Sequence, residues 1–209
     1  MINKEIIIEN IKTVFYALVI AIIIRSLLIQ PFYIPSSSME PTMLVGDRLF
    51  VTKYSYGYSK HSFPFSPPIF KGRLFSNIPE RGDVVVFKTT RDNRTDFIKR
   101  LIGLPGDKIQ FIDGDIFINN NQIIKDRISS QDIIYCSGAA DANNLGQVDV
   151  FTYNEKLSKQ KIHKAVYKKY GNYKNSDVFT VPKRHFFFLG DNRDCSGDSR
   201  YLTGLGYVP

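Results

Sequence analysis

Apolar positions along this 209-residue chain follow two different patterns. Residues 13–24 read TVFYALVIAIII without a charge, and SLLI follows the single Arg25. A bilayer core needs about 20 apolar helical residues. The run 13–29, with Arg25 placed where it can snorkel to the interface, predicts a transmembrane helix. Residues 13–30 are the expected anchor and residues 1–12 a short N-terminal segment ahead of it. A cleavable signal peptide competes with this reading. Its small-residue cleavage site is missing in Gln30-Pro31-Phe32-Tyr33-Ile34, so an uncleaved anchor is expected. A buried helix of a soluble domain fits less well, because the apolarity runs all round the helix rather than along one stripe.

After residue 30 the pattern becomes that of strands. Segments 47–53 (DRLFVTK), 83–88 (DVVVFK) and 96–102 (DFIKRLI) are short, β-branched and aromatic, with turn residues between them. Gly103-Leu-Pro-Gly-Asp107 reads as a turn. Segments 108–112 and 115–118 flank Asp113-Gly114, a strong hairpin signal. Strand character returns at 178–181 and 186–189. Residues 119–176 are polar, Asn- and Lys-rich and weakly patterned, and are read as an inserted, looser subdomain between the two parts, 31–118 and 177–209, of the main domain. The expected fold is mainly β: a membrane-anchored β domain with a smaller inserted subdomain, behind one N-terminal transmembrane helix.

Composition narrows the partners. Hydrophobic residues at 43% and charged residues at 23% are ordinary for a folded protein and exclude a disordered chain, a collagen-like repeat and a multi-span membrane protein. The net charge is +8. Lys4, Lys12 and Arg25 nearly balance Glu5 and Glu9, so the basic excess lies in the body. Such a field suits anionic lipid. With no long Lys/Arg run and no finger or RNA-binding signature, nucleic acid is not expected as a partner. Charge alone does not orient the anchor, since long domains translocate largely regardless of it. Two Cys are too few for a disulfide scaffold, and no CxxC suggests zinc. Cys136 and Cys195 are expected as free thiols, though an oxidising compartment would allow a bond.

Three clusters carry candidate chemistry. The first is Ile34-Pro-Ser-Ser-Ser-Met-Glu-Pro-Thr42, just past the anchor; by itself a Ser run before Pro reads as a turn. The second is Lys99, which strand alternation places on the face of Phe97 and Leu101, with Arg100 on the opposite face beside Ile98 and Ile102. An amine on an apolar face either snorkels out or has its charged form penalised. The third is Gly190-Asp-Asn-Arg-Asp-Cys-Ser-Gly-Asp-Ser-Arg200. Its alternating Arg and Asp suit an ion-paired scaffold better than a calcium site.

Together these segments resemble the bacterial type I signal peptidases, serine endopeptidases with a Ser/Lys dyad. The matching stretches, in order, are the anchor, PSSSMEPTM with GDRLFV, RGDVVVFK, DFIKRLIGLPGDKI, and GDNRDCSGDSRY with GLGYVP. No match is seen in 54–78 or 119–176. The resemblance implies Ser38 as nucleophile and Lys99 as general base, with the Ser36 hydroxyl and the Ser38 N–H forming the oxyanion hole. It implies Ser196 as the hydroxyl that orients the lysine, Asp198 and Arg200 as an ion pair beneath the site, and Arg100 and Asp191 as further support. It also implies a catalytic β domain outside the cytoplasmic membrane, with the N-terminus inside. No metal or cofactor is expected. Precursors bearing signal peptides and membrane lipid are the expected partners, and the protein is expected as a monomer. The family commonly continues for a short segment beyond GLGYVP; a terminal strand lost there would bear on stability more than on chemistry.

The residue types suit that chemistry. A serine needs a base, and lysine serves only when neutral. At its ordinary pKa it is neutral in about one molecule in 2,500 at pH 7, so burial against Phe97 and Leu101 has work to do. The aromatic stretch 54–70 has two readings: dipping into the membrane interface, or packing on the body. Two rival functions account for less of the sequence. A tethered basic β module gives no reason for Ser38 with Lys99, and a self-cleaving Ser/Lys repressor would need a DNA-binding region.

Overall fold

A computed structural model describes residues 4–68, 72–89, 91–128, 132–136, 146–158, 161–170 and 173–209. The end of the aromatic stretch 54–70 and parts of 119–176 lie outside these. The chain divides into two units, Met1–Tyr33 with Arg48–Ile78 and Ile34–Asp47 with Pro79–Pro209.

In the first unit, helix Lys4–Ile23 runs on into a π-helical turn, Ile24–Leu28. The helix begins well before residue 13 because Ile6, Ile7, Ile8 and Ile11 extend the apolar run through the scattered charges of Glu5, Glu9 and Lys12. None of its residues is buried. Lys4–Leu28 spans 25 residues, its most apolar window has a mean hydropathy of 2.1, and it is long and apolar enough to cross a bilayer. The helical path ends ahead of Pro31, which disfavours helix in the residue before it. Strand Ile29–Tyr33 then pairs antiparallel with Arg48–Thr52. Phe50, Tyr54, Phe65, Phe75 and Ile78 are exposed, while the Tyr58 hydroxyl donates to the Leu27 carbonyl at 2.9 Å.

The second unit is built on strand Asp96–Gly103, which pairs with Val84–Lys88 on one side and Phe187–Leu189 on the other. Because successive strand residues point to opposite faces, Leu101 joins Phe188, Leu205 and Val208 in one core. Ile102 joins Ile109, Phe111, Ile116, Phe187 and Leu189 in another. Burial on both faces explains why the strand is apolar at nearly every position after Arg100. The hairpin Lys108–Ile112 with Asp115–Ile118 forms as expected. Asp113 and Gly114 take φ of 50° and 83°, the left-handed pair that a tight primed turn requires.

The described part of residues 119–176, read above as a looser subdomain, contains an ordered sheet. Strand Gly146–Lys156 pairs along one edge with Ile162–Lys168, and its other edge is shared by Ile124–Arg127 and Asp132–Cys136. The apolar pattern is weak because the sheet buries Thr152 and Glu155 alongside Val150, Ala165 and Val166. The free-thiol expectation is also overturned: Cys136 and Cys195 are joined in a disulfide, with their Cα atoms 5.3 Å apart. They lie 59 residues apart in sequence, and only the approach of strand Asp132–Cys136 to the 190–200 loop brings them within bridging distance.

Candidate active site

Ser38 lies in the 3-10 turn Ser37–Met39, anchored by the fully buried Met39. The ends of its loop are tied by Ile34 N–H to Asp47 O and Gly46 N–H to Ile34 O, both 2.9 Å. The first N–H groups of such a turn, that of Ser38 among them, have no intrahelical acceptor. Ser36 Oγ stands 3.4 Å from Ser38 Oγ.

Lys99 reaches this turn from the middle of strand Asp96–Gly103. Its Nζ donates to Ser38 Oγ at 2.6 Å and lies 5.5 Å from the centre of the Phe97 ring, on the face that strand alternation assigned it. Burial pushes the amine down to about 8; Asp198 and Asp191 pull it partly back, and Arg200 opposes them. Those carboxylates are committed elsewhere. Asp191 takes Arg100 Nε at 2.7 Å and Arg100 Nη2 at 2.6 Å, together with the Thr42 hydroxyl. Asp198 takes Arg200 Nε at 2.8 Å and Nη2 at 2.9 Å, and the Gly190 N–H at 3.1 Å. Glu155 pairs with Arg193. Three buried carboxylates thus face three guanidiniums rather than the Lys99 amine.

The 190–200 loop closes on Ser38 at backbone level. Asn192 N–H donates to Ser38 O at 3.2 Å, and Asn192 Nδ2 to Ser37 O at 3.0 Å. A Cβ on Gly190 would lie 2.3 Å from both Ser38 O and Ser196 Oγ, so only glycine fits there. Ser196 is buried beside it. Among the described residues its hydroxyl has no hydrogen-bond partner; the bond to Lys99 that the resemblance implies is therefore not formed.

All the residues singled out in the sequence gather here: Ser36, Ser38, Lys99, Arg100, Asp191, Ser196, Asp198 and Arg200. Sequence reading missed Thr42, Asn192, Glu155, Arg193, His163 and Tyr167. Thr42, Asn192 and Arg193 lay inside stretches already picked out. Glu155, His163 and Tyr167 gave no signal, as polar residues in a polar region. Burial would raise the Glu155 carboxyl, but Arg193 and His163 opposite hold it below its ordinary value. Burial lowers His163, more than Glu155 restores it. Of the histidines, His61 bonds Ser66, His185 bonds Lys183 O, and His163 lies against Glu155 and Arg193.

Comparison with known proteins places these features in context. The family model described as signal peptidase, peptidase S26, matches residues 7–209. The signal peptidase I of Rickettsia massiliae (strain Mtu5) is 46% identical over 200 residues, which is 93% of this chain and 71% of that protein. The signal peptidase I of Rickettsia bellii (strain OSU 85-389) is 44% identical over 211 residues, 95% of this chain and 67% of that one. Among solved structures, a signal peptidase I from Enterococcus faecalis V583 is similar at 27% identity, over 63% of this chain and 90% of that one, with a TM-score of 0.35.

Proposed function

The chain belongs to the signal peptidase (peptidase S26) family, and on that premise we propose that it removes signal peptides with Ser38 as nucleophile and Lys99 as general base. The observation that carries this is the 2.6 Å contact between Lys99 Nζ and Ser38 Oγ, in a buried setting where Asp191 and Asp198 are bonded to arginines. Neutral Lys99 takes the hydroxyl proton as Ser38 Oγ attacks the scissile carbonyl. The oxyanion that forms is held by the Ser38 N–H and the Ser36 hydroxyl, and a donor of this kind is worth about 3–4 kcal/mol of barrier. The Lys99 ammonium then returns its proton to the leaving amine. Neutral again, it draws a proton from the water that attacks the acyl-Ser38 ester and passes it to Ser38 Oγ as that oxygen leaves, restoring both residues.

The substrate is the extended segment behind a signal peptide's apolar core, with small residues at A-x-A positions. Strand geometry supports that choice. Asp96–Lys99 pairs with Val85–Lys88 on one edge, whereas Phe187–Leu189 covers the other edge only at Arg100, Leu101 and Gly103. A peptide added as a strand beside residues 96–99 meets backbone donors and acceptors next to Lys99. The apolar N-terminal helix acts as a single-pass anchor in the cytoplasmic membrane, with the body on the outer side, where such segments emerge.

The test is cleavage of a precursor bearing an A-x-A site by the full-length chain in lipid vesicles. The parent should cut once at that site and Ser38→Ala should not. Cleavage that survives Ser38→Ala refutes the assignment.

A further inference from the structure

The three buried carboxylate–guanidinium pairs at the site include one, Glu155 with Arg193, that touches neither Ser38 nor Lys99 and has no part in the chemistry above. Glu155 is fully buried at the end of strand Gly146–Lys156, and His163 on the neighbouring strand is its register partner. Its carboxylate takes Arg193 Nη2 at 2.5 Å and Nε at 3.3 Å, a two-pronged grip that fixes the plane of the guanidinium. The Tyr167 hydroxyl donates to Oε1 from the side. His163 Nε2 lies 3.3 Å from Oε2 and 3.1 Å from Arg193 Nη2. So held, the third arm of Arg193, Nη1, donates to the carbonyl of Gly190.

Gly190 is where a small displacement matters most. It is wedged so tightly that a Cβ would overlap Ser38 O and Ser196 Oγ. Its N–H is held by Asp198, and its carbonyl by Arg193. The next residues, Asp191 and Asn192, bind Arg100 and the Ser37–Ser38 carbonyls. The main chain of Arg193 is itself stitched to the inserted sheet, N–H to Val166 O at 2.9 Å, and its carbonyl accepts from Arg200. A guanidinium free to rotate would release the Gly190 carbonyl and, with it, the floor under Ser38.

We propose that Glu155, acting through Arg193, is a positioning residue that sets the height of Gly190 beneath the nucleophile. The inserted sheet thereby takes part in catalysis without touching substrate. This rests on the reading of Ser38 and Lys99 as the reacting pair. If the parent fails to cleave an A-x-A precursor, or Ser38→Ala still cleaves it, that reading fails before Glu155 is tested.

Two variants of the full chain in lipid vesicles decide the matter, with kcat expressed per site counted by an ester that acylates Ser38. Arg193→Lys keeps a positive charge for Glu155 but lacks the Nη1 arm that reaches Gly190 O. The triple variant Glu155→Met, Tyr167→Phe, Arg193→Met removes the buried pair and the hydroxyl that leans on it; apolar replacement of such pairs often leaves stability intact. Each should lower kcat per site at least tenfold with KM within twofold of the parent, because the substrate edge at residues 96–99 is untouched. A purely structural pair predicts the reverse. If kcat per site stays within twofold of the parent, with any loss confined to the number of titratable sites, the proposal is overturned.

Discussion

Replacing Lys99 should abolish cleavage and, at neutral pH, make the protein more stable. Burial depresses the amine from about 10.5 to about 8. Neutral lysine then makes up about one molecule in ten at pH 7, instead of one in a few thousand. The same depression is a cost of about 3 kcal/mol, borne by the folded state whenever Lys99 is charged. Between about pH 8 and 10.5 the unfolded chain binds this proton and the folded chain does not, so stability from this group rises with pH across that window and is lowest below it. Lys99→Met has no ammonium to bury. It should melt several degrees above the parent at pH 7, allowing for the lost bond to Ser38, and the advantage should vanish above about pH 10.5. The kcat/KM of the parent, followed with a fluorogenic A-x-A peptide, should rise with pH along a limb centred near 8. Lys99→Arg, which stays charged throughout, should be as inactive as Lys99→Met. Robust cleavage by Lys99→Arg, a limb near 10, or a melting temperature of Lys99→Met below the parent's at pH 7 would refute the reasoning.

Asp198→Ala strands the buried Arg200 charge and should cost about 3–5 kcal/mol, seen as a lower melting temperature together with lost activity, whereas Ser38→Ala should lose activity alone. Gly190→Ala forces a methyl against Ser38 O and Ser196 Oγ; it should cost about 1–3 kcal/mol in denaturant titrations and remove most of kcat. Replacing Cys136 and Cys195 together by Ser removes a cross-link between positions 59 residues apart and should lower stability by about 2–4 kcal/mol; reductant should do the same to the parent and nothing further to the variant. Alkaline carbonate should leave the full chain in the membrane pellet, and deletion of residues 1–28 should move it to the supernatant.

The N-terminal helix was legible because its signal is local: an apolar run needs no partner to declare itself. The Asp113-Gly114 hairpin was legible for the same reason, since a turn's dihedral demands are written in two residues. The face of Lys99 followed from strand period alone, and the cluster from Ser36 to Arg200 from motif resemblance. What could not be read was every pairing whose two halves lie far apart in sequence with no shared pattern. The sheet of residues 124–168 hides its period because it buries Glu155 and Thr152, whose partners Arg193 and Asp132 are distant or carry no apolar signal. The Cys136–Cys195 bond depends on a strand reaching a loop through the packing of that sheet. Composition and periodicity report what each residue prefers locally; the depressed Lys99 and the grip on Gly190 exist only because tertiary packing excludes water around three matched charge pairs and leaves the amine unmatched.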